Sequence, residues 1–76
     1  MPEAVLHELV SQTRAAADAH AGRLVGLGVA VPPELAPDGV TRVLQERLAR
    51  AGLVGVEVSV DVRLGPVRVL RFEFQR

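Results

Sequence analysis

Residues 23–31 read RLVGLGVAV, and at this stretch the hydrophobic pattern changes period. In an extended chain, Val25, Leu27, Val29 and Val31 fall on one side. Leu24, Gly26, Gly28 and Ala30 fall on the other, because successive strand side chains point to opposite faces. The stretch therefore predicts a strand with one bulky face and one small face. It decides the fold because helical spacing flanks it on both sides.

Upstream, from Glu3 to Ala21, the residues Val5, Leu6, Leu9, Val10, Thr13, Ala16, Ala17 and His20 recur at helical spacing, and Gly22 is placed to end a helix. Downstream, PPELAP (32–37) is a stiff connector, since each proline lacks a backbone donor and biases its predecessor away from helix. A second helix follows, with Asp38 as expected N-cap and Val40, Val43, Leu44, Leu48 and Ala51 as its apolar stripe. Its outer side offers the i,i+4 pairs Arg42 to Glu46 and Glu46 to Arg50, and Gly52 suits its C-terminal end.

The last third alternates. In VEVSVDVRL (56–64), Val56, Val58, Val60, Val62 and Leu64 are expected inward, and Glu57, Ser59, Asp61 and Arg63 outward. VRVLRFEF returns after Gly65-Pro66. Parity favours a three-residue hairpin loop, Gly65 to Val67, which sets Phe74, Phe72 and Leu70 opposite Val58, Val60 and Val62. The same register sets Arg71 opposite Asp61 as a cross-strand ion pair. The fold class is then α+β in the order α-β-α-β-β: a small three-stranded mixed sheet with two helices packed on one face, its strand-helix-strand portion a right-handed crossover.

With 76 residues and 49% hydrophobic content the chain is expected to form a single domain, residues 1–76, of marginal stability. It contains no cysteine, so disulfides, thiolate metal sites and cysteine nucleophiles are excluded. Self-association, most simply a homodimer, is the expected support for so small a core, and the free edges of a small sheet are its expected place. Nine basic residues, all arginine, balance nine acidic ones, so no net field draws the chain to nucleic acid or an anionic membrane. The apolar run around residues 24–33 is too short to span a bilayer, and no leader precedes it; the expected setting is cytoplasmic.

Candidate sites are few. Glu3 and His7 are spaced to approach one metal ion from the same helix face, with Ser11, Arg14 and Asp18 the nearest further groups. That is fewer ligands than a zinc site uses, and a solvated helix face accounts for them as well. His20 suits capping or packing. Ser59 and Asp61 are expected on the opposite sheet face from both histidines, about 10 Å away, so a Ser-His-Asp arrangement within one chain is not expected. The GLG of residues 26–28 lacks the third glycine and following helix of a nucleotide fingerprint. Its glycines instead predict a flat, bare patch, and Gly26, Gly28, Ala30, Asp61 and Arg71 together form the expected interaction surface. Arg63, Arg68, Arg71 and Arg76 make the C-terminal region locally basic, but with both phenylalanines assigned to the core no ring is left for base stacking. Salt bridges to Asp61 and Glu73 are the expected use of these arginines.

In MPEAVL, HAGRLVGLGVAV, ELAPDGVTRVLQERL and GVEVSV, the order of elements resembles the nickel-binding domain of the HypA/HybF-type accessory proteins, which help insert nickel into nickel-iron hydrogenases. The resemblance spans nearly the whole chain through pattern and spacing. It implies an accessory role and the same succession of helices and strands. The histidine that this family places directly after its initiator Met, and uses for nickel, corresponds here to Pro2, so only Glu3 carries over. The family's paired CxxC zinc segment has no counterpart.

The leading expectation is thus a non-enzymatic, self-associating interaction or accessory module with no cofactor and an unidentified protein partner. The alternatives are a nickel or zinc carrier using Glu3 and His7, with copies of both across a dimer, and an RNA-associated domain reading phosphates with the C-terminal arginines.

Overall fold

The computed structural model describes residues 1–76. Its elements are α1 (Glu3–Ala19), β1 (Arg23–Val31), α2 (Pro37–Arg50), β2 (Glu57–Val62) and β3 (Arg68–Gln75). The accessible surface of 4703 Å² is close to the ~4,500 Å² of a compact monomer of this mass. No helix is long and apolar enough to cross a membrane.

α1 turns Leu6, Leu9 and Thr13 inward, with Val5, Val10 and Ala17 packed beside them. Thr13 satisfies its buried hydroxyl by donating to the Leu9 carbonyl at 2.7 Å. The helix ends at Ala19, and His20 adopts an extended backbone as its C-cap. α2 starts two residues earlier than expected. Pro37 takes the first helical position, where its missing N–H costs nothing, so Asp38 lies inside the first turn and does not cap it. At the other end Gly52 has φ +82°, Gly52 N–H donates to Ala49 O (3.0 Å) and Leu53 N–H to Leu48 O (2.9 Å). That pattern satisfies the last carbonyls, and Leu53 packs back on the core. Of the two expected pairs on α2, Glu46 to Arg50 forms at 2.9 Å and Arg42 to Glu46 does not.

The sheet order is β2-β1-β3, with β1 parallel to β2 and antiparallel to β3. The expected hairpin between β2 and β3 is therefore absent. The chain leaves β2 beside Val31, where Arg63 N–H donates to Val31 O, crosses the end of β1, and re-enters as β3 on its far side. Gly65 turns this crossing with φ +107°. A central β1 follows from composition: it alone carries apolar or small residues on both faces, and a strand flanked on both sides suits that pattern.

Two bulges correct the expected parities. Between Leu24 and Gly26 the β1 strand carries an extra residue, Val25; between Val69 and Arg71 the β3 strand carries an extra residue, Leu70. Leu24 thus joins the core, whereas Val25 lies beside Gly26, Glu57 and Ser59 on the outer face. Val69, Phe72 and Phe74 pack against the core, and Leu70 does not. The two slips have opposite sense, so register is regained at Val29 opposite Val69. On and around β2, Val56 and Val58 are buried, but Val62 is 51% exposed and Leu64, beyond the strand, 83%, because β2 is an edge strand.

The core is centred on Leu27, Val29 and Val31 of β1 with Leu44 and Leu48 of α2, all at most 1% exposed. α2 lies over β2, and α1 packs on β1, β3 and α2. Arg47 Nη1 donates to Glu3, and Arg14 Nη1 donates to the Ala51 carbonyl, so the helices are tied at two points.

Candidate functional site

The helices leave the other face of the sheet uncovered, and its outward residues form three rows across β2, β1 and β3. Register places Glu57, Gly26 and Glu73 in one row, Ser59, Gly28 and Arg71 in the next, and Asp61, Ala30 and Arg68 in the third. The middle column is therefore small throughout, between an acidic column on β2 and a mainly basic one on β3.

This centre is not bare, contrary to the sequence expectation. Arg71 Nη2 reaches across β1 and donates to Ser59 Oγ at 2.9 Å. A Cβ added to Gly28 would sit 2.8 Å from Arg71 Nη1 and 3.0 Å from its Cγ; one added to Gly26 would sit 2.7 Å from Glu73 Oε1. The glycines let Arg71 and Glu73 lie flat over the sheet, and that close approach is their structural use. What remains open is a shallow depression of about 340 Å³ lined by Val25, Gly26, Glu57, Ser59, Arg71 and Glu73.

The expected Arg71 to Asp61 pair does not form, because β1 separates their strands. Asp61 instead accepts from its neighbour Arg63 at 3.4 Å, and Arg71 lies 3.8 Å from Glu73. Arg68 donates to the carbonyls of Leu64 and Pro66, which fastens the crossing loop. Arg63 and Arg71 thus pair with Asp61 and Glu73 as expected, though within one strand or its immediate extension.

Compared with protein-family models, curated proteins and solved structures, the chain matches none.

At the start of α1, Arg47 Nη1 donates to both carboxylate oxygens of Glu3, at 2.7 and 2.6 Å. That hydrogen bond holds the Glu3 carboxyl below its ordinary value of 4.5, against a smaller desolvation effect in the opposite direction. The same bond raises the Arg47 guanidinium above its ordinary value. His7 is exposed on α1 beside Val10, Ser11, Arg14, Asp18 and Ala51. Both oxygens of Glu3 are thus engaged by an arginine, and no group of three or more His, Asp or Glu side chains converges anywhere in the fold.

Two contacts here had no local signal in the sequence. Glu3 and Arg47 are 44 residues apart, so only the packing of α1 on α2 brings them together. His20 stacks on Phe74, ring centroids 3.7 Å apart and planes 13° apart, while its Nδ1 accepts from Gly22 N–H at 3.0 Å. Accepting that bond requires an unprotonated Nδ1. The ring packs on Phe74 near the end of β3 and makes no bond to an α1 carbonyl, so of the capping or packing role expected of it the structure shows packing. Both histidines belong to the helix side, whereas Ser59 and its partner Arg71 lie on the outer face.

Proposed function

We propose that the protein is a small, non-enzymatic interaction module that self-associates and acts as an accessory or adaptor. The observation that carries this reading is the layout of the sheet: helices cover one face, while the other face and the outer edges of β2 and β3 have no neighbouring element. Unpaired strand edges are templates for another strand. The separation of Ser59 from both imidazoles supports a binding role over nucleophilic catalysis. The resemblance in element order to the HypA/HybF-type nickel-insertion proteins supports an accessory role, and Pro2 and the Arg47-bound Glu3 favour one without that family's metal centres. A cytoplasmic setting agrees with a sequence that relies on no disulfide.

Native mass spectrometry of untagged protein, alone and with one equivalent of nickel, tests the reading. A dimer or larger assembly without retained nickel is the expected result. A strict monomer overturns self-association. Stoichiometric nickel that is lost in His7→Ala overturns the adaptor role in favour of a metal carrier.

A further inference from the structure

The two free edges of the sheet differ in what they can pair with. Within Glu57–Val62 of β2 the charged residues are Glu57 and Asp61, both acidic. Antiparallel pairing of β2 with its own copy about Ser59 sets Glu57 opposite Asp61, and no register inside the strand brings opposite charges together. On β3, Arg71 and Glu73 stand one residue either side of Phe72. A twofold axis through Phe72 sets Arg71 opposite Glu73 of the second copy, twice, on the outer face, and pairing there takes Arg71 off Ser59 and Glu73 off Gly26, over which they lie in the single chain. Centring the axis on Arg71 or on Glu73 sets like charges opposite instead. About Phe72 the β3 edge is self-complementary.

The helix side of β3 points the same way. Val67, Val69, Phe72 and Phe74 are only half-buried although they pack against the core. A groove of about 420 Å³ between α1 and β3 is lined by Val5, Leu9, Val67 and Val69. A second copy joined along β3 brings its own Phe72 opposite this Phe72 and its own apolar strip beside this one.

We infer that β3 pairs antiparallel with β3 of a second copy about a twofold axis at Phe72, extending the three strands of each sheet into one continuous sheet with every helix on the same side. This rests on the self-association reading and names its surface. The interface is isologous and closes on itself, leaving the acidic β2 strands as the outer edges of the assembly.

The test is sedimentation velocity over a concentration series on wild type, Arg71→Glu, Glu73→Arg and the double swap, each checked for folding by circular dichroism. Two ion pairs become two repulsions in each single variant, so the dissociation constant should rise about tenfold or more; the swap restores both pairs and should return it to within about threefold of wild type. Hydrogen exchange should show dimer-dependent protection at residues 70–74. If a single variant does not fold, Glu73→Gln replaces it, with an expected weakening of about threefold. A dimer indifferent to these changes, or protected along Glu57–Val62 instead, overturns the β3 edge and leaves self-association standing. Single variants that weaken the dimer without recovery in the swap overturn the register. A monomeric wild type overturns both readings.

Discussion

β1 and β3 are hydrogen-bonded neighbours that both turn apolar residues toward the helices, yet they occupy different environments. Leu27, Val29, Ala30 and Val31 of β1 are 0% exposed, whereas every apolar residue of β3 is only half-buried. The difference comes from position: β1 has a strand on each side, α1 and α2 beneath it, and Arg71 and Glu73 laid over its glycines. β3 has one strand, one helix and an open edge. A strand's burial is set by its place in the sheet at least as much as by its own hydrophobicity.

The contrast can be broken hardest at its centre. Leu27→Ala should destabilise by about 2–5 kcal/mol, since the cavity lies among fully buried side chains; chemical denaturation measures it, and in so small a domain the variant should be largely unfolded. On β3 the sharper test is a reversal of sizes. Val69→Ala should cost about 1 kcal/mol and Leu70→Ala less, although leucine is larger, because the bulge takes Leu70 off the core. The opposite ranking would restore a regular strand.

A smaller effect is expected over the middle of the sheet. Gly28→Ala should cost about 1 kcal/mol by pushing Arg71 off Ser59, and much less in an Arg71→Ala background, a coupling that a double-mutant cycle reads directly. The smallest effect should lie farthest from β1, at the exposed Glu3–Arg47 tie. Glu3 has a depressed carboxyl value, so its stabilisation is full above pH 4.5 and disappears as pH falls through the lower folded value. Thermal unfolding across that acid range should show this slope in wild type and lose it in Glu3→Gln.

The element order and class were legible because each element carries its own period: the α1 stripe, the alternation of residues 56–62 and the glycine that ends α2 are local signals. Strand order was not. A short Gly-Pro link between two alternating segments resembles a hairpin, and the competing demand that β1 be flanked on both sides is a property of the whole sheet. The bulges defeated parity counting in the same way. Leu24 and Val25, or Val69 and Leu70, are chemically alike neighbours, and which one faces the core depends on the partner strand. Of the candidate surface, the sequence identified Gly26, Gly28, Ala30, Asp61 and Arg71 as residues of one face, and the rows of the sheet place them there. It missed that Arg71 and Glu73 fold back over the glycines, since cross-strand overlay depends on register.

The Leu70 bulge also bears on fibre formation. Amyloid-like growth needs flat, straight edges that stack identical strands without accumulating twist, and a bulge bends its strand and increases its twist. Here the straight run of β3 beyond the bulge is only Arg71–Gln75, with a charge at Arg71 and another at Glu73. An edge so short and alternately charged gives a poor surface for endless addition, so the same residue that spoils the strand's regularity should oppose fibre growth.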